Sequence, residues 1–108
     1  MGTITLQSST KEKTLVVNPS SKLTITRIEI DNNSSNSATI TLSDVYTPTP
    51  TPTNPTPEQK SVVRKVITSK AGEHLDISKL NITIFGVLSV VSTIDDTNIN
   101  ITISYKVD

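Results

Sequence analysis

Acid–base chemistry needs two titratable side chains held together in a pocket, and this chain has few that lie close in sequence. The nearest pairs are Asp95-Asp96 and Glu73 with Asp76. Each sits beside Gly, Thr or Asn, the residues of turns, which reads as a solvated turn rather than a catalytic pair. His74 is the only histidine, so neither a His-based metal cluster nor a charge-relay triad can be assembled. Fourteen serines without a base beside them are no sign of a nucleophile. With three glycines in the chain, a phosphate-cradling loop is excluded. A calcium site needs several converging oxygens. Asp31-Asn32-Asn33 and Asp95-Asp96-Thr97-Asn98 carry such oxygens, and a sandwich can bring two such loops to one end. The same residues are the ordinary formers of turns. The expectation is a protein that is not an enzyme, with no catalytic residue, no metal and no cofactor. Asn-x-Ser/Thr occurs at Asn32, Asn33, Asn81 and Asn100, which matters only if the chain is exported.

Composition narrows the partners. Ten basic and ten acidic residues cancel, so no charge excess draws the 108-residue chain to nucleic acid or to an anionic membrane. No stretch approaches the roughly 18 apolar residues of a membrane span. The opening Met1-Gly2-Thr3-Ile4-Thr5-Leu6 lacks the basic and apolar regions of a signal peptide. Cysteine is absent, so the fold has no disulfide staple. Phe85, Tyr46 and Tyr105 are the only aromatics, too few for a platform on which sugars or bases stack.

The elements that would position any site are strands. Thr, Ile and Val make up 41 of the residues, and β-branched side chains pack better on a pleated surface than on a helix. From Asn98 to Asp108, Ile99, Ile101, Ile103, Tyr105 and Val107 alternate with polar residues without a fault. That predicts a strand with one buried and one wet face. Ala38, Ile40 and Leu42 alternate in the same way, and Thr3–Leu6 and Lys13–Val17 read as shorter strands. In Leu23–Asp31 the apolar parity switches between Ile25 and Ile28. A bulge at Thr26-Arg27, or a change of sheet, would account for it. Ser61–Thr68, His74–Ile77, Ile82–Ile84 and Val87–Ile94 complete the set, with Gly86 as a bulge or bend. Lys70-Ala71-Gly72-Glu73 and Asp95-Asp96-Thr97-Asn98 are turns. About eight strands at this spacing predict an all-β antiparallel sandwich or barrel.

Between the strands lies Thr47-Pro48-Thr49-Pro50-Thr51-Pro52-Thr53-Asn54-Pro55-Thr56-Pro57. It looks like a linker, yet neither flanking half of roughly 50 residues can build a stable core alone. The tract is therefore read as a long loop inside a single domain, residues 1–108. Alternating Thr-Pro favours polyproline II, with a reach of ~30 Å if extended; the tract reads either as a solvated loop that blunts an edge or as a projecting arm that lies on a neighbouring subunit or receptor. Residues 1–17 are read as a second, N-terminal arm.

Val87 to Ile94 carries apolar residues on both faces, whereas a sandwich strand normally has one wet face. That pattern fits a central strand under a loop, a parity reset at the Gly86 bulge, or a subunit interface; in the last case Phe85, Val87, Leu88, Val90 and Val91 are the candidate interface, aliphatic and permanent in character.

Several segments carry a resemblance: Ile28-Glu29-Ile30-Asp31-Asn32, Ala38-Thr39-Ile40-Thr41-Leu42, Val66-Ile67-Thr68, Lys70-Ala71-Gly72-Glu73, Leu88-Ser89-Val90, and Ile101-Thr102-Ile103-Ser104-Tyr105. Over residues 23–108 the chain resembles the small, often jelly-roll-like β-sandwich virion proteins of tailed phages and archaeal viruses. The resemblance implies a capsid decoration or auxiliary head protein, assembled in the host cytoplasm. It would act as a homo-oligomer, commonly a trimer, on the major capsid protein or other virion proteins. The Thr-Pro insertion departs from that pattern, and no functional residue carries over. The alternative is a cell-surface filament subunit or an adhesion or carbohydrate-binding sandwich module.

Overall fold

The computed structural model describes residues 2–15 and 22–107, with Leu15 as backbone only. Among these residues nine strands follow one another: β1 Gly2–Ser8, β2 Lys13–Leu15, β3 Leu23–Asn32, β4 Ala38–Tyr46, β5 Lys60–Ser69, β6 His74–Ile77, β7 Ile82–Ile84, β8 Val87–Ser92 and β9 Asp96–Val107. The ends of two expected strands, Val16-Val17 and Asp108, lie outside the described residues.

The strands form two antiparallel sheets, β1-β9-β3-β6 with β7 also against β3, and β2-β8-β4-β5. This is a jelly-roll sandwich. Its pairs are nested: β4 with β5, β3 with β6, β2 with β8 and β1 with β9. The chain is thus one long ribbon folded back on itself and rolled up, with the Thr-Pro tract at the fold-back point. Residues 2–15 belong to both sheets as β1 and β2, so this stretch is not the free arm that its position suggested.

Alternation decides what the sheets enclose. Ile28 and Ile30, Ile40 and Leu42, Leu88 and Val90, and Ile99, Ile101 and Ile103 all point inward and are buried. With Leu23, Ile25, Ala38, Ile67 and Ile84 they make one core, half of it from each side of the tract. Ile4, Leu6, Leu75, Ile77 and Tyr105 pack around it, half-buried. Burial of each aliphatic side chain contributes about 1.5–3 kcal/mol.

The parity switch in β3 is a bulge. The register with β9 slips between Ile25 and Arg27, and Thr26 is the extra residue. Its hydroxyl donates to the Ser104 carbonyl at 3.2 Å, while its own carbonyl accepts from the Leu80 N–H at 3.0 Å. The strand stays in one sheet, and both Ile25 and Ile28 reach the core.

Candidate functional site

The outward faces of the two sheets differ in kind. On β1-β9-β3-β6 the cross-strand rows read Thr3–Ser104–Arg27, then Thr5–Thr102–Glu29–Asp76, then Gln7–Asn100–Asp31–His74. Every position is polar or charged. Arg27 grips Asp76 with both Nε (2.7 Å) and Nη2 (2.6 Å) and also reaches Glu29 at 3.1 Å. The pairing with Arg27 holds the Asp76 carboxyl below its ordinary range.

The outward rows of β2-β8-β4-β5 read Val91–Thr41–Val66, then Thr14–Ser89–Ser43–Val63, then Val87–Val45–Ser61. No member is charged. Val63 is 57% exposed and Val66 53%, while Ser43 and Ser89 lie buried between the valines. Ser89, on the inner strand β8, donates a hydrogen bond to Glu12 Oε2 at 2.7 Å, which brings one carboxylate to this face. This sheet carries aliphatic side chains on its outer face as well as in the core.

Of the five interface candidates, the structure brings Phe85, Val87 and Val91 to the surface. Phe85 is 56% exposed, with the Lys22 ammonium 5.4 Å from its ring centre. Leu88 and Val90 belong to the core, 1% and 4% exposed, and have no surface to offer. The reason is pairing: Leu88 and Val90 stand beside Asp44 and Leu42 of β4, whose side chains face inward. Val63 and Val66 complete the outer patch. Their signal was the run of apolar residues on both parities in β5.

A corner holds this patch to the other sheet. Phe85-Gly86 carries the chain from β7 in one sheet to β8 in the other. The Asp44 carboxylate, wholly buried, accepts the backbone N–H groups of Phe85 (3.0 Å) and Gly86 (2.9 Å). Arg64 adds a charge-assisted contact to the same carboxylate at 3.3 Å. Arg64 can turn inward because it is the extra residue of a bulge in β5, between the pairs Leu42–Lys65 and Ser43–Val63. Gly86 fits under β4 because it lacks a Cβ, which would overlap the Val45 carbonyl.

The Thr-Pro tract leaves the sandwich beside this corner. It doubles back, with paired backbone bonds between Thr51 and Asn54 (3.0 and 3.1 Å) around Pro52-Thr53. The fully extended ~30 Å reach is therefore not adopted. The tract is exposed apart from half-buried Pro48 and Pro57.

The opposite end holds a polar groove of about 540 Å³ lined by Gln7, Ser8, Ser9, Lys13, Asp95, Asp96 and Thr97. Its carboxylates serve the local backbone. Asp95 accepts from Thr10 N–H (2.8 Å) and Thr10 Oγ1 (3.0 Å), which lowers its pKa, and Asp96 accepts from Asn98 N–H at 2.9 Å. The two Asn/Asp loops do meet, through Asn33 N–H to the Asn98 carbonyl at 3.0 Å. Asn32, however, turns its amide onto the Asn36 and Lys70 carbonyls and accepts from Ser34, so its side chain organises the turn. Among the described residues no three His, Cys, Asp or Glu side chains come together as a metal site.

Comparison with protein families, characterised proteins and solved structures finds no match to this chain.

Proposed function

We propose that the protein is a non-enzymatic structural component of a virus particle, a homo-oligomer that decorates or cements the capsid. The supporting observation is the contrast between the two outer faces: one charged and wet, the other built of Val, Thr and Ser, with Val63 and Val66 more than half exposed and Glu12 at Ser89 as its one carboxylate contact. An antiparallel sheet normally keeps its outer face polar, whereas here five valines stand among Thr41, Ser43, Ser61 and Ser89 on the outer face. From strand spacing and rise the patch spans roughly 15 × 20 Å, about 300 Å². A stable interface needs about 800 Å² per partner. The neighbouring Thr-Pro tract and Phe85 lie at the same end and would supply the rest. Symmetry then repeats a modest contact many times over a shell, as the resemblance to virion sandwich proteins implies, with a trimer as the unit.

Two measurements test this. The protein should co-purify with intact particles and be accessible on their surface. In isolation, Val63→Ser with Val66→Ser should lower the oligomer mass seen by light scattering without altering the circular dichroism. A wild-type monomer at its highest soluble concentration would remove the main support.

The polar groove favours a second reading, a glycan-binding module, because amide, hydroxyl, carboxylate and ammonium groups converge there. No aromatic ring lines it, which ranks this reading second. Absence of binding across a glycan panel would close it.

A further inference from the structure

Each sheet of an open sandwich ends in two edge strands whose free backbone groups invite pairing, and proteins block them with charge, bulges or brevity. Three edges here are blocked. β5 carries Lys60, Arg64 and Lys65 and is bulged at Arg64. The edge shared by β6 and β7 is split into pieces of four and three residues, with His74 and Asp76 in the first. β2 opens on Lys13, with three residues of the strand among those described. The fourth edge is different. β1 runs for seven residues, Gly2-Thr3-Ile4-Thr5-Leu6-Gln7-Ser8, with no charge and no proline. Its register with β9 is regular from Gly2 to Gln7, and among the described residues nothing pairs with its outer side.

We propose that β1 pairs antiparallel with β1 of a second copy across a two-fold axis at Thr5, joining two sheets into one. The argument is parity. Two identical antiparallel strands match face to face only if each residue meets one of the same parity. With the axis at Thr5, Ile4 faces Leu6 of the second copy, Thr3 faces Gln7, and Thr5 faces itself. Apolar meets apolar on the inner face at Ile4 and Leu6, and polar meets polar across the outer one. The pairing uses Thr3 to Gln7 and stops at the register shift before Ser8, whose buried hydroxyl is engaged with Ser92. Ile4 and Leu6 reach the core yet are only half-buried in one copy, and the second strand covers their open side. The outer face of the joined sheet keeps the wet character of its rows, with Thr102 and Asn100 flanking the seam. No like charges meet, because β1 has none. An isologous contact of this kind closes on itself as a dimer instead of growing a fibre. It uses a different surface from the valine patch and does not depend on the virion reading.

The chain has no cysteine, so single-cysteine variants report the seam cleanly. Directly opposed residues in an antiparallel pair have Cα atoms about 4.5–5.5 Å apart, within the usual disulfide span of about 4.4–6.8 Å. Mild oxidation should convert most of Thr5→Cys into a covalent dimer. Thr3→Cys should not cross-link, because its copies would sit about four residues apart along the seam. Thr5→Lys sets two ammonium groups on the axis while facing solvent in the monomer. It should halve the mass seen by light scattering and leave the circular dichroism unchanged. In a larger assembly built on the seam, the mass should fall to that of the unit held by the remaining contact. Equal cross-linking of both cysteine variants, or an unchanged mass for Thr5→Lys, overturns the proposal. Loss of particle binding with the seam intact would count against the virion role alone.

Discussion

Asp44 accepts the backbone N–H of Gly86 at 2.9 Å from within the sandwich, although one belongs to a strand and the other to the corner that changes sheets. A buried carboxylate here satisfies two corner amides, with Arg64 as its counter-charge. Removing it strands those groups. Asp44→Ala is expected to lower the unfolding free energy by about 2–4 kcal/mol. Urea melts with an unchanged m-value would register it. Arg64→Ala, which leaves both amide bonds in place, should cost less. Equal losses from the two variants would mean that the ion pair, not the corner, holds the strand.

Gly86 has no room for a methyl group against the Val45 carbonyl and Tyr46. The obstacle is backbone, which cannot swing aside. Gly86→Ala should destabilise by about 1–3 kcal/mol, as overpacking does. Gly72→Ala meets no neighbour, but φ is +73° there, so its cost is purely conformational and should be about 1 kcal/mol. Thermal melts of both variants separate the two mechanisms.

Acid should act through Asp76 and Asp95. Both pKa values are lowered, by the hydrogen bond from Arg27 and by the backbone bond from Thr10 respectively. A depressed carboxylate adds stability above its unfolded pKa, near 3.9, and loses it as pH falls through the folded value. Stability should therefore be flat at neutral pH and decline below about pH 4. In Asp76→Asn and Asp95→Asn the acid limb should be shallower. A limb of wild-type steepness in the double variant would place the linkage elsewhere.

Ser69 is buried, and its hydroxyl is the one buried side-chain group without a hydrogen-bond partner among the described residues. Ser69→Ala removes an unsatisfied group at little loss of volume. It is expected to raise stability by about 1 kcal/mol, seen as a higher denaturation midpoint.

Most of the strand map was legible because period two is a strong signal wherever one face is wet. β9 shows it without interruption, and in β3 even the bulge at Thr26 could be read from the shift between Ile25 and Ile28. Leu88 and Val90 were harder. Both faces of β8 are apolar, so periodicity cannot say which one meets the core, and only pairing with β4 decides. Asp44 was readable in principle: it continues the inward series Ala38, Ile40, Leu42. A carboxylate is ordinarily assumed to face water, and its partners come from residues 64, 85 and 86, which adjacency in sequence does not join to it. The fold-back of the Thr-Pro tract was not visible either, because a turn at Pro52-Thr53 competes with extended polyproline by only a few backbone bonds.

The tract should be dispensable for folding. Its bonds are local to Thr51–Asn54, and the β4–β5 ladder ends at Tyr46–Lys60. Replacing Thr47–Pro57 with a short Gly/Ser turn should leave stability within about 1 kcal/mol, since loop-closure entropy changes by only ~0.6 kcal/mol per halving of length. Unfolding of that variant would show the tract to be packed structure.

The rolled ribbon also sets a timetable for biosynthesis. The hairpin of β4 and β5 is the only nested pair whose strands are neighbours along the chain, so it can form while the rest is still being made. Gly2 finds Tyr105 only after the eight strands before β9 have been made. Until β9 leaves the ribosome, β1 has no partner, and its uncharged strand is open to any other chain. Zippering from the tract outward is slow by the measure of sequence separation. A nascent β1 that meets another β1 before its own β9 would enter a swapped or aggregated state, so yield should depend on how crowded synthesis is.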